Sequence, residues 1–121
     1  MHDASGGWGS MTIESRKKGR ITIFELHGPL TLGNGDVQLR DMLRRAVDDG
    51  ERMFVFDMRG VGWLDSVGIG ELVACNKRAR EKDGTIKLVM NPKGRQILMV
   101  PQVHRIFDLF DDLESALASF A

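Results

Sequence analysis

The chain has 121 residues, 42% of them apolar. That is enough for one domain with a buried core, and it excludes a disordered chain. Lys plus Arg and Asp plus Glu each number 17, so the formal net charge is zero, against the positive surplus that general binding to nucleic acid or an anionic membrane needs. The single cysteine, Cys75, excludes an internal disulfide framework and a multi-cysteine metal site, and it suits a cytoplasmic location. No apolar run approaches the roughly 20 residues of a membrane span, and the N-terminus lacks the apolar stretch of a secretory signal.

Residues 1–10 (MHDASGGWGS) are Gly/Ser-rich and without periodicity. They read as a flexible tail or a cloning remnant, with the domain over residues 11–121. His2 belongs to that tail.

Residues 13–16 and 21–26 are extended candidates on either side of Arg16-Lys17-Lys18-Gly19-Arg20, the pattern of a hairpin. The basic run reads as a solvated tip that protects a sheet edge. A patch for an anionic ligand is the sharper alternative. Residues 28–35 (GPLTLGNG) form a loop dense in turn residues. Leu39, Met42, Leu43 and Ala46 then fall on one helical stripe, with Asp41 and Arg45 spaced for an i,i+4 pair and Gly50 as the stop.

Residues 53–56 (MFVF) are a continuous apolar run, which suits a strand covered on both faces. Residues 57–64 are read as leaving it. A second helix begins near Ser66 or Val67, with Ile69, Leu72, Val73 and Asn76 on its stripe. Lys77, Arg78, Arg80 and Lys82 crowd its last turns, where cations complement the helix dipole. Asp83-Gly84 leads to a strand at 86–90. Asn91-Pro92 signals a helix start. A short strand at Ile106-Phe107 and a last helix opened by Asp111 and Asp112 complete the pattern. Strands alternating with helices predict a small sheet covered by helices.

The chemistry concentrates in Leu64-Asp65-Ser66-Val67-Gly68-Ile69-Gly70. Ser66 falls on a strand-to-helix loop, where Ser or Asp caps the helix by accepting from free amides. An exposed hydroxyl for modification or contact is the functional reading, and the two are compatible. A nucleophile elbow needs glycine two residues before the serine, but position 64 is leucine. A hydrolase built on Ser66 therefore lacks its motif. No phosphate-binding P-loop occurs, and Gly60-x-Gly62 lacks the third glycine of a dinucleotide fingerprint. Asp57 ends an apolar run as in a phospho-accepting receiver, yet no acidic pair follows the first strands. His27 and His104 lack the spacing of a metal site. Cys75 reads as a packing residue. Trp63 reads either as core or as an interface anchor. No catalytic residue, cofactor or metal is expected.

Thr12 to Phe120 resembles the STAS domains of bacterial anti-sigma-factor antagonists. The resemblance rests on the apolar strand with its aspartate, a glycine-containing loop and then Leu64-Asp65-Ser66-Val67-Gly68-Ile69-Gly70-Glu71-Leu72. Gly28-x-Leu30, the Gly84 turn and the acidic start of the last helix add to it. It implies an α/β fold of order β-β-α-β-α-β-α-(β)-α, a mixed sheet with helices mainly on one face. It also implies an anti-sigma-factor antagonist that binds an anti-sigma factor/serine kinase and is released when Ser66 is phosphorylated, with a serine phosphatase resetting the switch. The ATP belongs to the partner. No direct nucleic-acid contact or membrane insertion is implied. Asp65, Ser66, Val67, Gly68, Trp63, Gly33 and Asn34 would form the partner-binding surface. Val67 stands where many members have Ser or Thr, and the loop after Leu30 lacks their acidic residue. A scaffold subunit of a stress complex or an accessory subunit of a transporter is the alternative.

Overall fold

Ile21-Thr22-Ile23-Phe24 is β-branched and aromatic, a composition that fits a pleated, half-buried surface. In the computed structural model, which describes residues 9–121, this run opens β2 (Ile21–His27). β2 pairs antiparallel with β1 (Thr12–Lys18) and parallel with β3 (Met53–Gly60). β4 (Thr85–Val89) and β5 (Asp108–Phe110) extend the parallel side, giving the order β1-β2-β3-β4-β5 among the described residues. The helices are α1 (Asp36–Asp48), α2 (Ser66–Arg80), α3 (Pro92–Met99) and the short α4 (Leu113–Ala118).

Alternation along the strands divides the core in two. Phe24, Phe54, Phe56 and Leu88 point to one face, where they meet Leu39 and Leu43 of α1, Leu72 of α2 and Leu98 of α3. The Phe24 and Phe56 rings stack at 5.5 Å. On the other face, Ile23, Val55 and Val89 pack under Ala116 of α4. The expected α/β sheet with helices mainly on one face is therefore what forms.

Several details differ from the sequence reading. The hairpin turn is only Gly19-Arg20, because Arg16 to Lys18 stay in β1 and pair with β2; Gly19 has φ +61°, a conformation glycine adopts without strain. β3 runs on to Gly60 rather than ending at Phe56. Asp57 is buried in it because Arg59, two residues on and so on the same face, meets its carboxylate at 2.9 and 2.7 Å. Asp41 pairs with Arg44 (3.3 Å), the i,i+3 neighbour, rather than with Arg45. The last strand is residues 108–110; Ile106 instead follows a 3-10 turn and is exposed.

The buried stripe of α2 also differs. Gly68, Glu71, Leu72, Cys75 and Ala79 face inward, while Val73 faces out. A buried glutamate broke the apolar pattern used to place the stripe. Glu71 is held by Arg40 of α1 at 3.0 Å, and the Cys75 thiol lies 3.7 Å from it. Burial, with the Glu71 charge beside it, pushes the Cys75 thiol far up. Cys75 is thus a packing residue rather than a nucleophile.

Of the expected tail, residues 1–8 and with them His2 lie outside the described residues. Gly9 is placed against the domain: its carbonyl accepts from Asn34 at 3.5 Å, and the next backbone contact is Met11 N–H to Asn34 Oδ1 at 2.9 Å.

Candidate functional site

Two loops meet at the carboxyl ends of β2 and β3. In open α/β sheets this edge is where ligands and partners find loops rather than strands. The loop after β2 passes through Leu30, and the loop after β3 passes through Trp63 and Leu64. Leu30 N–H donates to the Trp63 carbonyl at 2.9 Å, and Leu30 and Leu64 form a parallel bridge. Both leucines are buried. Their burial plants the loop pair on the core, so the residues just beyond stand on a rigid base.

Asp65 completes the junction. It is the N-cap of α2, in extended backbone conformation, and its Oδ1 accepts from Gly68 N–H at 2.8 Å. Its Oδ2 accepts from Leu32 N–H at 3.0 Å, across the other loop. One carboxylate thus caps a helix and pins the neighbouring loop. The Leu32 and Gly68 amides hold the Asp65 carboxyl below the usual carboxylate range. Because Asp65 supplies the capping oxygen, the hydroxyl of Ser66 is not consumed by the cap. Ser66 is the first helical residue and is exposed.

Gly68 is buried at the closest approach of the two loops. A Cβ there would overlap the Leu30 carbonyl oxygen. The motif glycine is thus required by contact between backbones, and it lends shape to the site rather than surface. Asn34 is also half inward. Its Nδ2 donates to the Pro29 carbonyl at 2.8 Å while its Oδ1 accepts from Met11 N–H. Gly33 is exposed, and its N–H donates to the buried Asp36 at 3.1 Å.

What remains outward is an apolar rim around the serine. Trp63 is 54% exposed, which places it outside the core, and Val67 is 37% exposed. Leu32, at 72%, adds to the rim. Sequence reasoning missed Leu32: an apolar residue in a turn-rich loop was the only signal. Of the seven predicted site residues, Trp63, Asp65, Ser66 and Val67 line the α2 side and Gly33 and Asn34 the facing loop. Gly68 sits beneath.

Among the described residues no group of three or more His, Cys, Asp or Glu side chains could hold a metal ion. None of their helices is long and apolar enough to cross a membrane.

Residues 12–116 match the sequence family described as the STAS domain. The chain belongs to the STAS domain family. Among named relatives, BtrV of Bordetella bronchiseptica carries the name of an anti-sigma factor antagonist. It is 28% identical over 111 residues, covering 91% of this chain and 95% of that one. Solved structures share the STAS fold. An anti-sigma factor antagonist from Mycobacterium paratuberculosis superposes with a TM-score of 0.81 at 22% identity, over 91% of this chain and 93% of that one. The Bacillus cell fate determinant SpoIIAA, in its phosphorylated form, gives 0.70 at 15% identity over 91% and 100%. The murine anion transporter Slc26a9 gives 0.74 at 18% identity, but only 18% of that chain is covered. The STAS fold therefore occurs in more than one setting, and the choice between functions falls to the loop pole.

Proposed function

We propose that this STAS domain is an anti-sigma-factor antagonist. In this reading it binds an anti-sigma factor/serine kinase through the Trp63–Ser66–Leu32 pole and is released when the partner phosphorylates Ser66. The observation that carries the reading is an exposed Ser66 at the first position of α2, beside a cap supplied by Asp65 and within an apolar rim. The name borne by BtrV agrees with it.

A phosphoserine adds about −1.5 to −2 charge. At a helix N-terminus the free amides and dipole accommodate that charge, so the modified domain stays folded. The cost falls on the interface. Opposite a partner carboxylate about 5 Å away, the added charge is repelled by roughly 2 kcal/mol in water-like dielectric, and by more as water is excluded. That is more than tenfold in affinity. The domain needs no cofactor of its own, a serine phosphatase would reset the switch, and the setting is cytoplasmic.

Immobilised wild type and Ser66→Ala should retain the same ATP-binding protein from lysate of the native host, and Ser66→Asp should lose it. Equal retention by all three would refute release by charge at this position. It would favour constitutive docking, as in a scaffold or transporter subunit.

A further inference from the structure

At the other end of β3 from Ser66, about 25 Å away along an eight-residue strand, the surface holds a second cleft. Its volume is about 370 Å³, in the range of small-molecule sites. Lys17 of β1 with Gly19 and Arg20 of the β1–β2 turn form one wall, and Gly50, Glu51 and Arg52 of the α1–β3 connection form the other. Three cations thus face one carboxylate.

That carboxylate is already compensated. Glu51 Oε2 lies 2.6 Å from Lys17 Nζ, and its Oε1 accepts from the Thr22 hydroxyl at 2.9 Å. The arginines are not compensated in this way. Arg52 Nη1 donates to the carbonyls of Val47 (3.0 Å) and Glu51 (2.7 Å), so its guanidinium is positioned by neutral groups rather than by a carboxylate. Arg20 is exposed at the turn and is in no ion pair among the described residues. A guanidinium presents paired donors that match phosphate oxygens, and of the two only Arg52 is already held in place.

We propose that this cleft binds a phosphate group, held by Arg20 and Arg52 with Lys17 at its edge. The chain's zero net charge does not oppose this: Lys17 and Glu51 offset each other, Arg20 and Arg52 remain among the lining residues, and the exposed Asp48 and Asp49 just before Gly50 lie outside the lining. The site shares no residue with the Ser66 pole, so it stands independently of the function proposed there.

Inorganic pyrophosphate is the probe. In an amide NMR titration at low salt, the expected result is saturable shifts confined to residues 17–20 and 50–53. Affinity should fall at least tenfold in Arg20→Glu, fall with added salt, and remain unchanged in Ser66→Asp. Arg20 is an exposed turn residue, so its replacement leaves the core intact, and an unchanged spectrum elsewhere verifies this. A second arm uses vesicles of phosphatidylcholine with phosphatidylserine. Flotation that pyrophosphate abolishes would assign the phosphate to a lipid headgroup; saturable pyrophosphate binding without flotation would assign it to a soluble ligand. Shifts that never saturate, that fall equally on residues 77–82, or that persist at the same affinity in Arg20→Glu would overturn the proposal.

Discussion

Helices α2 and α4 begin alike and do different work. Each is capped by an aspartate that accepts from the amide three residues on: Asp65 from Gly68 at 2.8 Å, Asp112 from Ser115 at 2.7 Å. The difference lies in the second carboxylate oxygen. Asp112 Oδ2 accepts from the Ser115 hydroxyl at 3.1 Å and so stays within its own helix. Asp65 Oδ2 accepts from Leu32 N–H, 33 residues away in the chain. One cap only starts a helix, while the other also fastens two loops into a platform. The same local chemistry ties two loops into one surface when its spare oxygen reaches another segment.

The largest expected effect tests the platform's closest contact. Gly68→Ala places a Cβ into the Leu30 carbonyl, where backbone must move. It should destabilise by about 3 kcal/mol, the upper end for forcing atoms into a packed site, seen as a fall in Tm of roughly 10 °C or more. Gly70→Ala, two residues on with open space around it, should instead stabilise by up to about 1 kcal/mol through helix propensity. Equal behaviour of the two glycines would remove the close contact from the account.

Asp65→Ala should cost about 1–2 kcal/mol for the cap, and it should also free the Leu32 amide to hydrogen exchange. Asp112→Ala should cost about 0.5–1 kcal/mol and leave exchange at Leu32 and Gly68 unchanged. If Asp65→Ala left Leu32 protected, the two caps would be equivalent after all.

Acid gives the smallest effect. Both carboxyls are held below the usual aspartate range, Asp65 by the Leu32 and Gly68 amides and Asp112 by Ser115. A depressed folded pKa contributes stability above the unfolded value of about 3.9, and that contribution is lost as pH falls through the folded pKa. The Leu32 and Gly68 amide signals should therefore hold steady from neutrality down to the ordinary aspartate range and move only below it. Movement between pH 5 and 7 would contradict this assignment.

Much of the fold was legible because its signals are local. Turn glycines, helix stripes and the three cap residues Asp65, Asn91 and Asp112 all lie next to what they control. Two of the differences share a cause: a buried carboxylate is satisfied by an arginine that the apolar pattern does not reveal. Asp57 stays in β3 because of Arg59, and Glu71 faces inward on α2 because of Arg40. Lys87, inside the strand expected at 86–90, is buried there because Ser119 Oγ accepts from it at 2.6 Å and the Phe120 ring lies 4.3 Å from its Nζ, partners that lie more than 30 residues away. At the site, Ser66 and Asp65 stood out as a motif, but the link to Leu32 and the overlap with Leu30 depend on a fold that joins two distant loops.

Peptide mass mapping of the protein purified from its native host decides whether Ser66 is the switch proposed above. The expected result is a population carrying the mass of one phosphate, localised to Ser66 and absent from Ser66→Ala expressed in its place. A protein that stays unmodified at Ser66 across growth conditions, and also when mixed with ATP and host lysate, would contradict it.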